Sequence, residues 1–267
     1  MCLIPEAIPG ELVREIDERM KEQASGEESL GLGATFRGDE AFGGQAAPEG
    51  RVSRLLWNLV NKGSVFLPLI DHPTVFPLVE EMLGDRIRLA ALAGHMNGHN
   101  NEQIPLHQDQ TAHIPRPLSF IAWANVMWLI TDNSVRTGGT RVIPGSHLWP
   151  EVDSRKVNFQ GGQGLAKTVE APGGTALVFE GRLWHGNGLN RSGAVRNNIL
   201  ASYVPGWIRT QENYPYTVLD EVHSRASQRQ RELLGFGHFR TLGAHDGSSY
   251  LSAGFDRTIE PVGILKS

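Results

Sequence analysis

Between residues 86 and 206 the chain is cut into short apolar runs by closely spaced turn signals, and this punctuation limits its fold more than any other feature. Gly138-Gly139, Pro144-Gly145, Gly161-Gly162 and Pro172-Gly173-Gly174 mark turns, since glycine accepts positive φ and proline fixes φ while removing a donor. The runs at 86–96, 118–131, 175–179 and 196–205 are β-like in length and residue type. The stretch FIAWANVMWLI within the second run is apolar on both alternating faces, which predicts a central strand covered on both sides. With 31 glycines and 15 prolines, the composition favours a turn-rich β fold over a helical bundle.

Helical patterns flank this region. Leu12, Val13, Ile16 and Met20 share one face of a helix expected over 9–24. A second helix is expected from Pro73 to Leu83, with Gly84 stopping it. A third spans about 217–234, opened by Thr217 with Asp220 three residues on. Residues 25–50, rich in Gly, Ser and Glu, read as a long loop of the kind that becomes a lid. The expected organisation is one domain over 1–267, mainly β with flanking α-helices. It comprises a helical N-terminal part with the lid loop (1–85), a β core (86–206) and a C-terminal helical extension (207–267).

Several function classes are disfavoured. Net charge is −4 and the basic residues are scattered, so no nucleic-acid surface is expected. Cys2 is the single cysteine, which leaves no internal disulfide and no thiolate cluster. No apolar run approaches the roughly 20 residues of a bilayer span, and the N-terminus lacks a basic n-region. A cytoplasmic chain without membrane partners is expected, as a monomer or homodimer acting on a small molecule.

LHQDQ at 106–110 sets His107 and Asp109 two residues apart, and on a strand residues i and i+2 face the same way. WHGNG at 184–188 offers His185 directly after the strand TALVFE. Two histidines and one carboxylate make the facial set of non-haem Fe(II) oxygenases, which leaves three coordination positions free. The H-x-D pair is a weak signal alone, and His95 and His99 offer a rival spacing. The glycines and asparagines around them argue against a helix, so they read as polar strand-end residues or outer partners. Arg196, eleven residues beyond His185, strengthens the case. A short turn at 190–194 would fold its strand back beside the one bearing His185, letting the guanidinium clamp a carboxylate in the same pocket.

Together HQD at 107–109, GGTRVIPGSH at 138–147, and His185 followed by Arg196 resemble the phytanoyl-CoA dioxygenase family, over about residues 85–206. The resemblance implies a double-stranded β-helix (jelly-roll, cupin-like) core and an Fe(II)/2-oxoglutarate-dependent dioxygenase that consumes O2 and releases succinate and CO2. It places the iron ligands at His107, Asp109 and His185, and the arginine for the far carboxylate of 2-oxoglutarate at Arg196. Thr140 matches a position that helps hold the same co-substrate, Asn187 and Trp184 would line the pocket, and His147 would anchor its turn. Halogenases of this kind lack the carboxylate ligand, so Asp109 points to hydroxylation or a related C–H oxidation. A small molecule of secondary metabolism is the expected substrate, since no basic cluster awaits the phosphates of coenzyme A. Phe36, Arg37, Phe42, Trp123, Met127 and Trp207 are candidate substrate neighbours. The alternative is a non-oxidative cupin-like metal-binding protein, an isomerase or a sensor, in which Arg196 would have no purpose.

Overall fold

The computed structural model describes residues 1–32, 34–36, 53–98, 104–114, 119–150, 157–158, 161–240 and 242–243. Its strands are β1 (Cys2–Ile4), β2 (Ala34–Phe36), β3 (Ser53–Leu56), β4 (Ile87–Asn97), β5 (Ala124–Leu129), β6 (Thr140–Val142), β7 (Lys167–Thr168), β8 (Ala176–Glu180), β9 (His185–Asn187) and β10 (Arg196–Pro205). Seven make an antiparallel major sheet in the order β1-β8-β5-β10-β4-β3-β2, and three make a minor sheet, β7-β6-β9. This is the expected jelly-roll core.

Strand alternation gives the major sheet two unlike faces. Val126, Trp128, Val178, Ile199 and Tyr203 point outward and join one apolar cluster with Ile16, Met20, Phe76 and Val79. Those last four belong to helices α1 (Gly10–Ser29) and α2 (Phe76–Leu83), which cover that face. Met127, Leu129, Leu177 and Phe179 point inward and meet Val142 of the minor sheet in a second cluster. On β10 the inward positions are instead largely polar: Arg196, Asn198 and Ser202 lie opposite Asn97, His95 and Ala91 of β4. An apolar outer face fixes the sheet on its helices, while the inner face carries a polar stripe.

The predicted central strand holds, with every residue of β5 buried between β8 and β10. It is shorter than 118–131 because the Gln110 side chain engages the preceding segment. Its amide donates to Phe120 O at 2.9 Å and accepts from Ala122 N at 2.9 Å. Arg196–Pro205 forms as expected, and Gly84 ends α2 with φ 86°.

Four expectations need correction. Helix α1 continues to Ser29 rather than ending at 24, held by Lys62 on Glu27, Arg54 on Glu28 and the Arg54 guanidinium on Ala24 O. Residues 34–36, placed in the lid loop, form β2 against β3. Most of that loop, with Arg37 and Phe42, lies outside the described residues. Helix α2 starts at Phe76 with Pro77 in its first turn, not at Pro73.

The single helix expected over 217–234 is a series: α4 (Tyr214–Thr217), α5 (Asp220–Arg225), α6 (Gln228–Arg231) and a π-helical turn, Glu232–Phe236. Asn61 holds the first break open, donating to Thr217 O at 2.7 Å and accepting from Leu219 N at 3.0 Å. The capping box belongs to Ser227 and Gln230, not to Thr217 and Asp220. Among the described residues no helix is long and apolar enough to cross a membrane.

Glu212 fastens this C-terminal series to the sheet. Its carboxylate accepts from the backbone N–H groups of Asn58 and Leu92 and from the Tyr214 hydroxyl. Burial pushes its carboxyl above the usual range, against the pull of those donors. Removing it strands three donors at once, so Glu212→Ala is expected to cost on the order of 3 kcal/mol, read from urea unfolding midpoints.

Candidate metal centre

His107 and His185 meet across an isolated antiparallel bridge that extends the minor sheet beyond β9. His107 N donates to His185 O at 2.8 Å and His185 N to His107 O at 3.0 Å, which sets the two rings 4.4 Å apart between centroids. Asp109 is not on a strand, as the i, i+2 argument assumed. It is the first residue of a short helix, α3 (Asp109–His113), and the chain bends there to aim its carboxylate back at both rings. Asp109 Oδ1 lies 3.3 Å from His107 Nε2, and Oδ2 lies 3.5 Å from His185 Nε2.

Each imidazole is oriented by its far nitrogen. His107 Nδ1 contacts Pro105 O at 2.9 Å and His185 Nδ1 contacts Leu183 O at 3.0 Å. A carbonyl oxygen only accepts, so Nδ1 carries the proton and, in the neutral ring, Nε2 keeps its lone pair for a metal. Phe179 packs edge-on against His185 at 4.8 Å. One donor atom from each of His107, Asp109 and His185 falls within 4.8 Å of the others, and two of the three residues are buried. This donor set fits a divalent transition ion with open positions.

The electrostatics agree with that fit. Burial lowers His185 to about 4, leaving it neutral and basic enough to ligate. For His107 burial lowers the pKa, but Asp109 and the Pro105 carbonyl outweigh it and the net shift is upward. Burial likewise opposes ionisation of Asp109, yet the two imidazoles and Asn125 hold its carboxyl well below the usual range. A buried carboxylate of this kind calls for a positive charge beside it, which a bound divalent ion would supply.

Arg196 does not lie on a strand beside His185, as the turn at 190–194 suggested. β9 pairs with β6 in the minor sheet, whereas β10 pairs with β4 and β5 in the major one. The segment crosses between sheets, so the arginine faces the metal ligands from the opposite wall. Its side chain is 1% exposed. Nη1 donates to Asn198 Oδ1 at 2.7 Å and Asn133 Oδ1 at 3.3 Å, while Nε and Nη2 have no partner among the described residues. Burial lowers its pKa to about 10, which still leaves a full positive charge at neutral pH.

The remaining candidates fall around these two centres. Thr140 is fully buried, and its hydroxyl donates to Met127 Sδ at 3.1 Å, a weak acceptor that a better one can replace. Asn133 links it to the arginine, because Asn133 Oδ1 accepts from both Thr140 N and Arg196 Nη1. Asn187 donates to Asn97 Oδ1 at 3.2 Å, and Asn97 in turn faces Arg196 across the β4–β10 ladder. Trp184 packs with Leu106, Ile143 and Val157 on the other side of the metal ligands. Ser146 ties the GGTRVIPGSH turn to the distal histidine's strand, accepting Trp184 N at 2.9 Å; His147 was expected in that task.

Sequence reasoning missed Asn97, Asn125, Asn133 and Asn198, which sit in no motif. His95, read as a strand-end polar residue or outer partner, lies inside. It faces Asn198 across the ladder and is lowered to about 4 by burial and then by the Arg196 charge. Among the substrate candidates, Trp123 packs with Ala90 and Val204, while Trp207 stays exposed beside Phe120. His99 and the Phe36 side chain lie outside the described residues.

The sequence pattern of the phytanoyl-CoA dioxygenase (PhyH) family matches residues 1–198. The chain belongs to the phytanoyl-CoA dioxygenase family. This member is similar to the dioxygenase af480 of Aspergillus fumigatus, 28% identical over 190 residues, which cover 68% of this chain and 60% of the relative. It is 30% identical over 207 residues to the dioxygenase andF of Emericella variicolor, covering 74% of this chain and 69% of that one. The chain thus spans about two thirds or less of the length of several curated relatives. Among solved structures, the non-heme alpha ketoglutarate dependent carbocyclase SnoK superposes with a TM-score of 0.61 at 18% identity, over 84% of this chain and 85% of its own. HygX from Streptomyces hygroscopicus, with nickel and 2-oxoglutarate bound, gives a TM-score of 0.58 at 15% identity, over 78% and 83%. These likenesses establish the fold of this family member.

Proposed function

We propose that the protein is an Fe(II)/2-oxoglutarate-dependent oxygenase that oxidises a C–H bond of a small organic molecule. The observation that carries this reading is Arg196, a buried charge whose Nε and Nη2 have no hydrogen-bond partner and no paired carboxylate among the described residues, on the wall facing three metal-competent donors. An uncompensated buried charge is costly, so its place in the fold is explained by an anionic ligand that completes it. A metal-only cupin site gives this guanidinium no task.

When bound, iron(II) with 2-oxoglutarate and O2 supplies the oxidising power, releasing succinate and CO2. The chain's residues fix where that chemistry happens. His107 and His185 present Nε2, each ring locked by a backbone carbonyl, and Asp109 supplies the single negative ligand. Arg196 takes the far carboxylate of the co-substrate through Nε and Nη2, with Asn133 and Asn198 holding the fork in place. The Thr140 hydroxyl can turn from sulfur to that carboxylate. Two negative charges on the co-substrate and one on Asp109 balance the ion and Arg196, so the filled site is neutral overall. Met127, Leu129, Val142, Leu177 and Phe179 wall it with apolar surface and exclude water. The absence of a basic cluster in the sequence supports a small secondary metabolite as substrate over an acyl-CoA. A cytoplasmic location, and action as a monomer or homodimer, complete the reading.

The test is anaerobic addition of Fe(II) and then 2-oxoglutarate to the protein. A visible metal-to-ligand charge-transfer band that saturates with 2-oxoglutarate is expected. Folded, iron-loaded protein that develops no band overturns the reading.

Gly139 gives a second, subtler check. A Cβ there would stand 2.8 Å from Asn133 Nδ2 and 2.9 Å from the Ser134 backbone, so the amide that steadies Arg196 must shift. Gly139→Ala is expected to cost about 1–3 kcal/mol of stability and to raise the KM for 2-oxoglutarate, with metal affinity unchanged. Thermal unfolding and steady-state kinetics read the two effects separately.

A further inference from the structure

Asn125 belongs to no sequence motif, has no part in holding the co-substrate, and is completely buried on the inner face of β5. The ladder sets it opposite Ser202 on β10 and Phe179 on β8. Its Oδ1 accepts from Trp123 Nε1 at 3.0 Å and from Ser202 Oγ at 2.8 Å, and its Nδ2 donates to Asp109 Oδ2 at 2.7 Å. The direction of this chain is forced. An indole N–H can only donate, so the carbonyl end of the amide must face Trp123, and the NH2 end must face the carboxylate.

We propose that Asn125 is a positioning residue that reserves one oxygen of Asp109 for the metal. Oδ2, which also lies 3.5 Å from His185 Nε2, takes this bond; Oδ1, 3.3 Å from His107 Nε2, is left without an amide donor as the oxygen to ligate, and the carboxylate plane is held against rotation. The consequence concerns coordination number. A carboxylate free to swing can bind through both oxygens and take up a position that the co-substrate or O2 needs. One tethered through Oδ2 presents a single donor and keeps that position open. Trp123 and Ser202 act through Asn125, each fixing the amide's orientation from behind, so the set is Trp123 and Ser202 on Asn125 on Asp109. A tether of this length to an ionised oxygen is a charge-assisted bond in a dry site, the strongest kind available to an amide donor.

The inference rests on the metal reading of His107, Asp109 and His185, and the experiment separates the two. The full chain and its Asn125→Leu, Trp123→Phe and Ser202→Ala variants are titrated anaerobically with Co(II), following the visible ligand-field spectrum, with circular dichroism as the check on folding. The wild type is expected to bind one Co(II). Asn125→Leu is expected to bind it roughly 10–100-fold more weakly with an altered spectrum, as loss of an outer-shell partner does. Trp123→Phe and Ser202→Ala, which remove one donor each and keep Asn125, are expected to change the spectrum in the same direction with a smaller loss of affinity. Should Asn125→Leu fail to fold, these two variants decide. Wild-type affinity and spectrum in every folded variant overturn the positioning role while leaving the metal site intact. A wild type that binds no Co(II) removes the metal site itself, and the positioning role with it.

Discussion

Arg196→Met is expected to abolish productive 2-oxoglutarate binding while leaving the empty protein as stable as the wild type, or more so. The two halves have one cause. In the empty protein the guanidinium is desolvated and, among the described residues, satisfied only through Nη1 and opposed by no carboxylate. Exchanging it for an apolar side chain of similar length relieves that cost, as replacing buried charges often does. In the filled protein the same exchange strands the far carboxylate of the co-substrate in a dry pocket, a loss of about 2–5 kcal/mol. That corresponds to a rise in Kd of roughly 30- to several-thousand-fold. Thermal unfolding with and without 2-oxoglutarate reads both halves: the wild type gains stability as ligand is added, and the variant starts no lower and gains nothing. A variant that loses stability when empty but retains the 2-oxoglutarate shift would show that the arginine supports the fold and not the ligand.

Asp109→Ala is expected to remove bound iron and, with it, turnover. The carboxylate is the only anionic ligand of the set, so its loss leaves two imidazoles with nothing to offset the charge of the ion. The effect on turnover is several kcal/mol in the barrier, or roughly 10³-fold and more. Iron content of the isolated variant, measured against wild type, gives the answer without an assay for the unknown substrate. Full iron occupancy with normal charge transfer in the variant would refute the assignment of Asp109.

The sequence made parts of this site visible and hid others for definite reasons. β10 could be read to its ends because it is a β-like run bounded by turn signals. Gly84 could be read because a helix that stops at a residue with positive φ favours glycine. The break after Thr217 could not. It is made by Asn61, more than 150 residues away, which engages the backbone on both sides of the gap. Arg196 was picked out by its distance from His185, but the hairpin invoked for it does not exist; the chain changes sheets between them. The asparagines were invisible for another reason. Asn97, Asn125, Asn133 and Asn198 matter through where the sheet register sets them, and an amide has no spacing rule of its own.

That register has a consequence for how such a protein can vary. Arg196 and Ser202 sit on one strand and one face, six residues apart, so β10 works as a ruler graduated at both the co-substrate anchor and the tether behind the metal carboxylate. Its pairing with β4 runs unbroken from Arg196 to Ser202, and the irregularity comes immediately afterwards, between Ser202 and Tyr203. A slip of one residue before that point would turn every graduation to the wrong side of the sheet. Beyond it, the bulge has already uncoupled the count. Changes past Tyr203 can therefore be absorbed without moving a single mark on the ruler.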